Sequence, residues 1–435
     1  MPTEDTRSET IDVTQLRVGM YIELELGWMA HPFPTGSFKI SSDKQIDVIR
    51  GLGLKQIRYI PGKSDLMTIA EPVAAAEPTA AEPTEAAPVR ADAQTRDLQL
   101  RKQRSDMLGA QQRELIACER RYSQTVRAYK QVIEQVESQP VKVMEQCRDM
   151  VAGFVSELLG AGESAIRLLS DGMGDKLALH PVNVSVIALL LGKYMGLPAD
   201  EMADLGMAAF LHDIGKLQLP ERVRWQEDNF SSAEQKMYQQ HVVMGVALAR
   251  RMELAPGALQ AIAQHHEMVD GSGFPARLKG DVLSRPAKVL ALVDRYETLC
   301  NPSRSTAAVT PHEALALIFA QLKPRFDATV LGAFIRMMGV YPPGSIVQLT
   351  DERYAMVVSV NSSRPLKPRI IVFEARVSKH EALMLDLESQ PELGIRRSLK
   401  PASLPRAAMD YLSPRQRICY FFERAIDPPM EGAGP

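Results

Sequence analysis

A long apolar run is the first thing this sequence lacks. A membrane helix needs about 18 or more consecutive apolar residues. Val186 to Leu191 is stopped by Gly192 and Lys193, and Met1 to Thr10 contains no apolar signal core. No membrane span is expected. Cysteine is scarce as well: Cys118, Cys147, Cys300 and Cys419 lie far apart and form no C-x-x-C pair. That excludes a disulfide framework and a cysteine zinc site, and points to a reducing cytoplasm. Charge of one sign is also missing. The 51 basic and 53 acidic residues nearly cancel, to a net −2. The chain is therefore not built to coat a nucleic acid polymer or an anionic membrane.

With 435 residues and about 100–200 residues per domain, two to four domains are expected. Residues 11–61 read as a small α/β unit. Ile22, Leu24 and Leu26 alternate with Glu23 and Glu25, a strand period. Ser42 is a candidate cap for a short helix carrying Ile46, Ile49 and Leu52, and Gln56 to Ile60 reads as a second strand. Residues 70–94 read as a disordered linker. Between 71 and 89 there are four prolines, seven alanines, four glutamates and no basic residue, a composition that buries too little to order itself.

Residues 95–140 read as a connector helix. Leu108, Leu115, Tyr122, Tyr129 and Val136 recur every seven residues, while the second seam holds Gln111, Cys118, Thr125 and Val132. Two arrangements fit: a homodimer through this helix, or a long helix packed on the following domain. A dimeric coiled coil wants both seams apolar. Residues 142–343 show helical periodicity without strands, as in the stripe Val184, Ile187, Ala188, Leu191. Ser231 and Glu234 form a capping box for a helix through Met252. Residues 344–425 read as a short β-containing extension, with strands at Ser345–Leu349, Tyr354–Val360 and Arg369–Glu374. The fold class expected is mainly α.

Five of the eight histidines (His180, His212, His241, His265, His266) fall in the helical region, accompanied by Asp213 and Asp294. Singly, each has a bland explanation: a core histidine, a helix-start residue, a surface acid. Together, five imidazoles and two carboxylates in one helical domain are hard to explain as packing, because uncompensated charge on apolar faces is costly. A bound divalent metal is the usual compensation. His265 and His266 are adjacent and would point about 100° apart on a helix, so sharing an ion requires a helix end, for which Gly271 and Gly273 are candidates.

These residues resemble a known family. His212-Asp213-Ile214-Gly215-Lys216 is similar to the HD signature of metal-dependent phosphohydrolases. His265-His266-Glu267-Met268-Val269-Asp270-Gly271-Ser272-Gly273-Phe274-Pro275 resembles the HHExxDGxGYP signature of the HD-GYP subgroup, with Phe274 in place of tyrosine. His180, His241, Asp294 and Phe326-Asp327 fall where the family has its remaining marks. Residues 11–61 resemble the small N-terminal domain of unknown function that precedes many HD-GYP domains.

The resemblance implies an all-α HD-GYP domain over 142–343 and a bacterial phosphodiesterase acting on cyclic di-GMP, with pGpG or GMP as product. It implies two divalent transition ions, iron or manganese, with zinc chemically suitable too. One ion would take His180, His212, Asp213 and Asp294. The other would take His241, His265 and His266, with Asp213 bridging. Lys176 stands where some members carry a glutamate for a third metal, so two ions are expected. Asp213 and Lys216 are the catalytic candidates, and Glu267 and Asp270 are expected to orient ligands or the loop. Lys216, Gly271, Gly273, Phe274, Pro275 and Arg304 are the substrate-binding candidates; Arg304 follows Ser303, which occupies the family's arginine position. Diguanylate cyclases or other signalling proteins are the expected protein partners. The competing expectation is a catalytically weak signalling module that binds cyclic dinucleotide or partner proteins.

Overall fold

The computed structural model describes residues 8–24, 37–42, 45–46, 49–50, 54, 56–64, 87–160, 162–170, 172, 177–224, 230–302 and 308–424, with side chains before Arg101 in the first long helix described only at Gln99. The chain divides into two compact units, Met1–Ala86 and Ala87–Pro435.

In the first unit β1 (Glu9–Asp12), β2 (Tyr21–Glu23), β3 (Ser37–Lys39) and β4 (Gln56–Tyr59) form an antiparallel sheet in the order β1-β4-β2-β3. Val13, Leu16, Ile22, Leu24, Ile40, Ile46, Ile49 and Ile57 make its core. The sequence pattern shows β2 and β4 but not β1 and β3, neither of which carries a fully buried residue to mark an apolar face. At the entry to the expected short helix the Ser41 N–H donates to Gln45 Oε1 at 2.7 Å, and the Gln45 N–H donates to the Ser42 carbonyl at 3.1 Å; Glu25, Leu26 and Leu52 lie outside the described residues.

The second unit opens with α1 (Ala87–Gln135) and α2 (Pro140–Leu159). Helix α1 begins inside the stretch expected to be linker, and it ends at Gln135 rather than at 140. Pro88 is tolerated in a first turn, and no further Pro or Gly follows until Gly109, so the helix extends back to Ala87. The rest of that linker, 70–86, lies outside the described residues. Cys118, Tyr122, Thr125, Tyr129, Val132 and Val136 are all buried. Tyr129 meets Phe210 edge-on with ring centroids 5.1 Å apart. From Cys118 onward both seams are therefore covered by the chain's own core, as in the packed-helix arrangement, and are not free for a homodimer.

Helices α3 (Leu179–Tyr194), α4 (Ala199–Leu211), α5 (Ser232–Arg251), α6 (Pro256–Gln264) and α7 (Arg285–Cys300) surround the candidate site. Helix α3 is buried almost all round, because α4, α7 and the C-terminal strand β11 (Tyr420–Arg424) pack on it. Helix α8 (Pro311–Leu317) and helix α9 (Ala328–Met338) complete the helical part. The expectation of helices without strands fails at β5 (Ser164–Leu168). This fully buried strand pairs with β11 and with β7 (Tyr354–Asn361). Its partners come from far along the chain, so local periodicity cannot reveal it. Strands β6 (Ile346–Leu349) and β8 (Arg369–Val372), with β7, fall where the sequence places them, and β9 (Met384–Asp386) and β10 (Ile395–Leu399) pair with β8 and β6. The extension 344–425 is consequently no appendage: it shares a sheet with β5 and a core with the helices.

Candidate metal centre

Each side chain of the cluster is delivered by the end or the inward face of a helix. The first turn of α3 presents His180. Helix α4 stops at Leu211, so His212 is its C-cap, and a 3₁₀ turn (Ile214–Gln218) follows Asp213. That tight turn puts Lys216 back over Asp213, with Nζ 2.5 Å from Oδ2. His241 lies on the buried face of α5, behind the Ser231–Glu234 capping box. Helix α6 ends at Gln264, with His265 as C-cap. The helix end that lets His265 and His266 converge thus comes before the glycines. Gly273 instead permits a close backbone approach, since a Cβ there would sit 2.4 Å from the His266 carbonyl oxygen.

Gly215 holds the turn against α5. A Cβ there would lie 2.0 Å from the His241 carbonyl oxygen and 2.3 Å from the Gly245 nitrogen. Backbone cannot swing away as a side-chain tip can. Gly215→Ala is expected to push Asp213 and Lys216 away from His241 and to destabilise the chain by about 2 kcal/mol or more, as strain in a packed core does. Thermal unfolding with metal analysis checks this; a variant with parental Tm and parental metal content would refute it.

The donors separate into two groups. His180, His212 and Asp294 form one; Asp213, His241, His265 and His266 form the other. His180 Nε2 lies 3.1 Å from both His212 Nε2 and Asp294 Oδ1. His241 Nε2 lies 3.4 Å from His265 Nε2 and 3.6 Å from Asp213 Oδ1. Asp213 faces both groups, since its Oδ2 is 3.5 Å from His180 Nε2 and from His212 Nε2. Asp294 does the same, with Oδ2 3.5 Å from His266 Nδ1. Donors held about 2.1 Å from one ion stand about 3–3.5 Å apart, which is the spacing seen. Asp213 Oδ1 and His266 Nε2 are buried without a hydrogen-bond partner. Such orphaned polar atoms are costly unless something unprotonated and positive meets them. The residues fit a divalent metal.

The ring nitrogens turned away from the centre are also fixed. His212, His241 and His265 each direct Nδ1 to the carbonyl three residues back, at 2.8, 2.6 and 2.6 Å. With the proton there, Nε2 keeps its lone pair toward the cluster. His180 Nδ1 bonds to the Glu297 carboxylate instead. Burial holds His241 down to about 3 and His265 down to about 4, and pushes His212 and His266 down as well. All four are neutral and able to ligate at ordinary pH. Burial opposes ionisation of Asp213 and Asp294, but Lys216 and the imidazoles outweigh it and keep both carboxyls below the usual range.

His180 behaves oppositely. Burial disfavours its cation, yet Glu297 and Asp294 raise it to about 10 from 6.5. In the metal-free protein this raised value contributes stability that is fully present below about pH 6.5 and is lost as pH rises through about 10. A ligating ring must be neutral, so uptake at this group displaces a proton. Apparent affinity should rise about tenfold per pH unit between about pH 7 and 10. A pH-stat record of Mn²⁺ addition near pH 8 should show about one proton released per chain; no release would mean that His180 is already neutral.

Phe274 lies over His266, with ring centroids 4.6 Å apart. Glu267 braces the loop that carries it, accepting from the Ala276 N–H at 2.6 Å and the Leu278 N–H at 2.8 Å. Asp270 accepts from the Ser272 N–H. Gly271 (φ +79°) and the exposed Pro275 border the same loop. Asp327 caps α9 and pairs with Lys288 at 3.1 Å, so the Phe326-Asp327 pair serves packing and capping. Lys176, Ser303 and Arg304 lie outside the described residues. The sequence reading missed the supporting role of Glu297 and, entirely, that of Asn183 and Asn301. The available signal was a glutamate three residues after Asp294 on an apolar stripe.

Comparison with known proteins gives two matches along the chain. Residues 146–330 match the HD domain, and residues 8–147 match a domain of unknown function, DUF3391. A cyclic di-GMP phosphodiesterase of Pseudomonas aeruginosa is 25% identical over 378 residues, 85% of this chain and 86% of its own length. The cyclic di-GMP phosphodiesterase response regulator RpfG of Xanthomonas campestris is 31% identical over 156 residues, 35% of this chain and 41% of its length. A 3'3'-cGAMP-specific phosphodiesterase of Vibrio cholerae is 28% identical over 161 residues, 37% of this chain and 29% of its length. The chain thus spans most of the first relative but less than half of the other two. No described helix is long and apolar enough to cross a membrane.

Proposed function

We propose that this chain, whose residues 146–330 match the HD domain and whose residues 8–147 match a domain of unknown function, is a metal-dependent phosphodiesterase of the HD-GYP kind that hydrolyses cyclic di-GMP to pGpG or GMP, lowering this messenger in a bacterial cytoplasm. The observation that supports this best is the pair of donor groups faced by both Asp213 and Asp294. Bound divalent ions at such a site supply Lewis acidity, which acidifies water and draws charge from phosphate oxygens.

The chain's own residues do the rest in this reading. His180, His212, Asp213 and Asp294 hold one ion. His241, His265 and His266, with Asp213 shared, hold the other. Neutral imidazoles with hard carboxylates suit iron or manganese. Lys216 brings a positive charge to the phosphodiester, and Asp213 keeps that cation aimed. Phe274, Gly271, Gly273 and Pro275 border the substrate in this reading, and Arg304, outside the described residues, is the remaining substrate-binding candidate.

The test is anaerobic purification, metal loading, and nucleotide chromatography after incubation with cyclic di-GMP and with 3'3'-cGAMP in parallel. Linear product from cyclic di-GMP at the higher kcat/KM supports the reading. The relatives named for 3'3'-cGAMP make that nucleotide the competing substrate, and preferential turnover of it would move the assignment there. No turnover of either by the metal-loaded chain would make the protein a cyclic-dinucleotide-binding or partner-binding module.

A further inference from the structure

Of the four histidines whose Nδ1 is fixed, three rely on a carbonyl of their own helix. His180 does not. It stands in the first turn of α3 and depends on a side chain 117 residues away, the carboxylate of Glu297. Glu297 is only 1% exposed. Its Oε1 accepts from Asn183 Nδ2 at 3.0 Å and from Asn301 Nδ2 at 2.8 Å. Both amides also donate to one backbone oxygen near the C-terminal end of the described chain, Ile418 O, at 2.7 and 2.9 Å. Their own oxygens accept in turn: Asn301 Oδ1 from the Ile418 N–H at 2.8 Å, and Asn183 Oδ1 from the Tyr420 N–H at 2.9 Å. The Tyr420 hydroxyl donates to Pro343 O at 2.9 Å.

Two asparagines therefore clasp the segment 418–420 and Glu297 at the same time. A buried carboxylate is stable only with its acceptor sites filled, and a buried network is sound only when every member is satisfied. Lifting 418–420 would leave both amides half-bonded. Glu297 would then be less firmly placed, and His180 would lose its fixed ring.

We propose that Glu297 is a positioning residue of the metal centre, and that the Asn183–Asn301 clasp makes the C-terminal segment 418–420 part of the support that aims His180. The sheet extension is then required for one ion and not the other, because His241, His265 and His266 make no hydrogen bond to Glu297 or to the clasp among the described residues. This rests on the two-ion reading above.

The test uses the full chain and Mn²⁺ as probe, with binding isotherms and electron paramagnetic resonance. The parent should bind two ions and show an exchange-coupled pair. Glu297→Gln keeps the side-chain shape. Its one oxygen is claimed by the two asparagines, so its NH₂ faces His180 Nδ1 and drives the ring proton to Nε2. One Mn²⁺ should bind about 10–100-fold more weakly, leaving an isolated Mn²⁺ signal from the other. Asn301→Ala should weaken the same site, with helical circular dichroism kept. Two ions at parental affinity in both variants would overturn the proposal. So would equal weakening of both sites, which marks general destabilisation. If Glu297→Gln fails to fold, Asn301→Ala decides by the same criteria. A parent that binds no Mn²⁺ overturns the two-ion reading itself, a result distinguishable from either.

Discussion

Asp213→Ala should lose most of both metal ions while its fold remains recognisable. The reason is positional. Asp213 Oδ1 faces His241 and His265 at 3.6 and 4.0 Å, and Oδ2 faces His180 and His212, both at 3.5 Å. Few single side chains can serve two donor groups, and truncation removes one ligand from each. The variant carries a second cost. Lys216, largely buried, is left without the carboxylate it pairs with. Breaking one side of such a pair costs about 3–5 kcal/mol, enough to confuse metal loss with partial unfolding. The double variant Asp213→Ala/Lys216→Ala removes the stranded cation and should recover much of the metal-free stability, but none of the metal. Metal analysis and thermal unfolding of the parent, the single and the double variant separate the effects. Full occupancy in either variant would remove Asp213 from the bridging position. Loss restored by the double variant would show that Lys216, not the missing ligand, had emptied the site.

The legible parts of this protein are those in which neighbours in sequence act together. The capping box at Ser231 and Glu234, the buried positions of α4 and the strands near 346, 354 and 369 all follow from local patterns. The seven donors are legible for another reason. Charged and imidazole groups on otherwise apolar faces cannot remain uncompensated, so they stand out even in a single sequence. Hidden from that reading is whatever depends on distant partners. Strand β5 is five residues whose ladder partners lie about 190 to 260 positions onward. Asn183 and Asn301 read as ordinary polar residues on or beside a helix until Ile418 is seen between them. Asp294 likewise reads as a ligand for one ion, whereas its Oδ2 also faces His266. The seam of α1 is ambiguous in sequence because a core-packed helix and a coiled coil present the same stripe.

Lys216→Ala should keep both metals and still lose most of its turnover. Lys216 is no solvated helix end. Its ammonium contacts Asp213 Oδ2 and sits 5.3 Å from the centroid of the Tyr238 ring. Burial works against the charge, but Asp213 outweighs it and raises the pKa, so the group is a permanent cation with no lone pair to give a metal. Its removal takes no ligand from either donor group and releases an Asp213 oxygen. In the proposed phosphodiesterase reading, what is lost is a fixed positive charge beside the phosphate. In a water-poor site one such contact is worth about 3–4 kcal/mol, or about 10²–10³-fold in rate. The split between constants identifies its role. A cation acting on charge that develops in the transition state lowers kcat with KM nearly unchanged, whereas one that only binds the ground-state phosphate raises KM. If the lysine serves merely to balance Asp213 in the metal-free chain, the metal-loaded variant will turn over at the parental rate and only the metal-free Tm will fall.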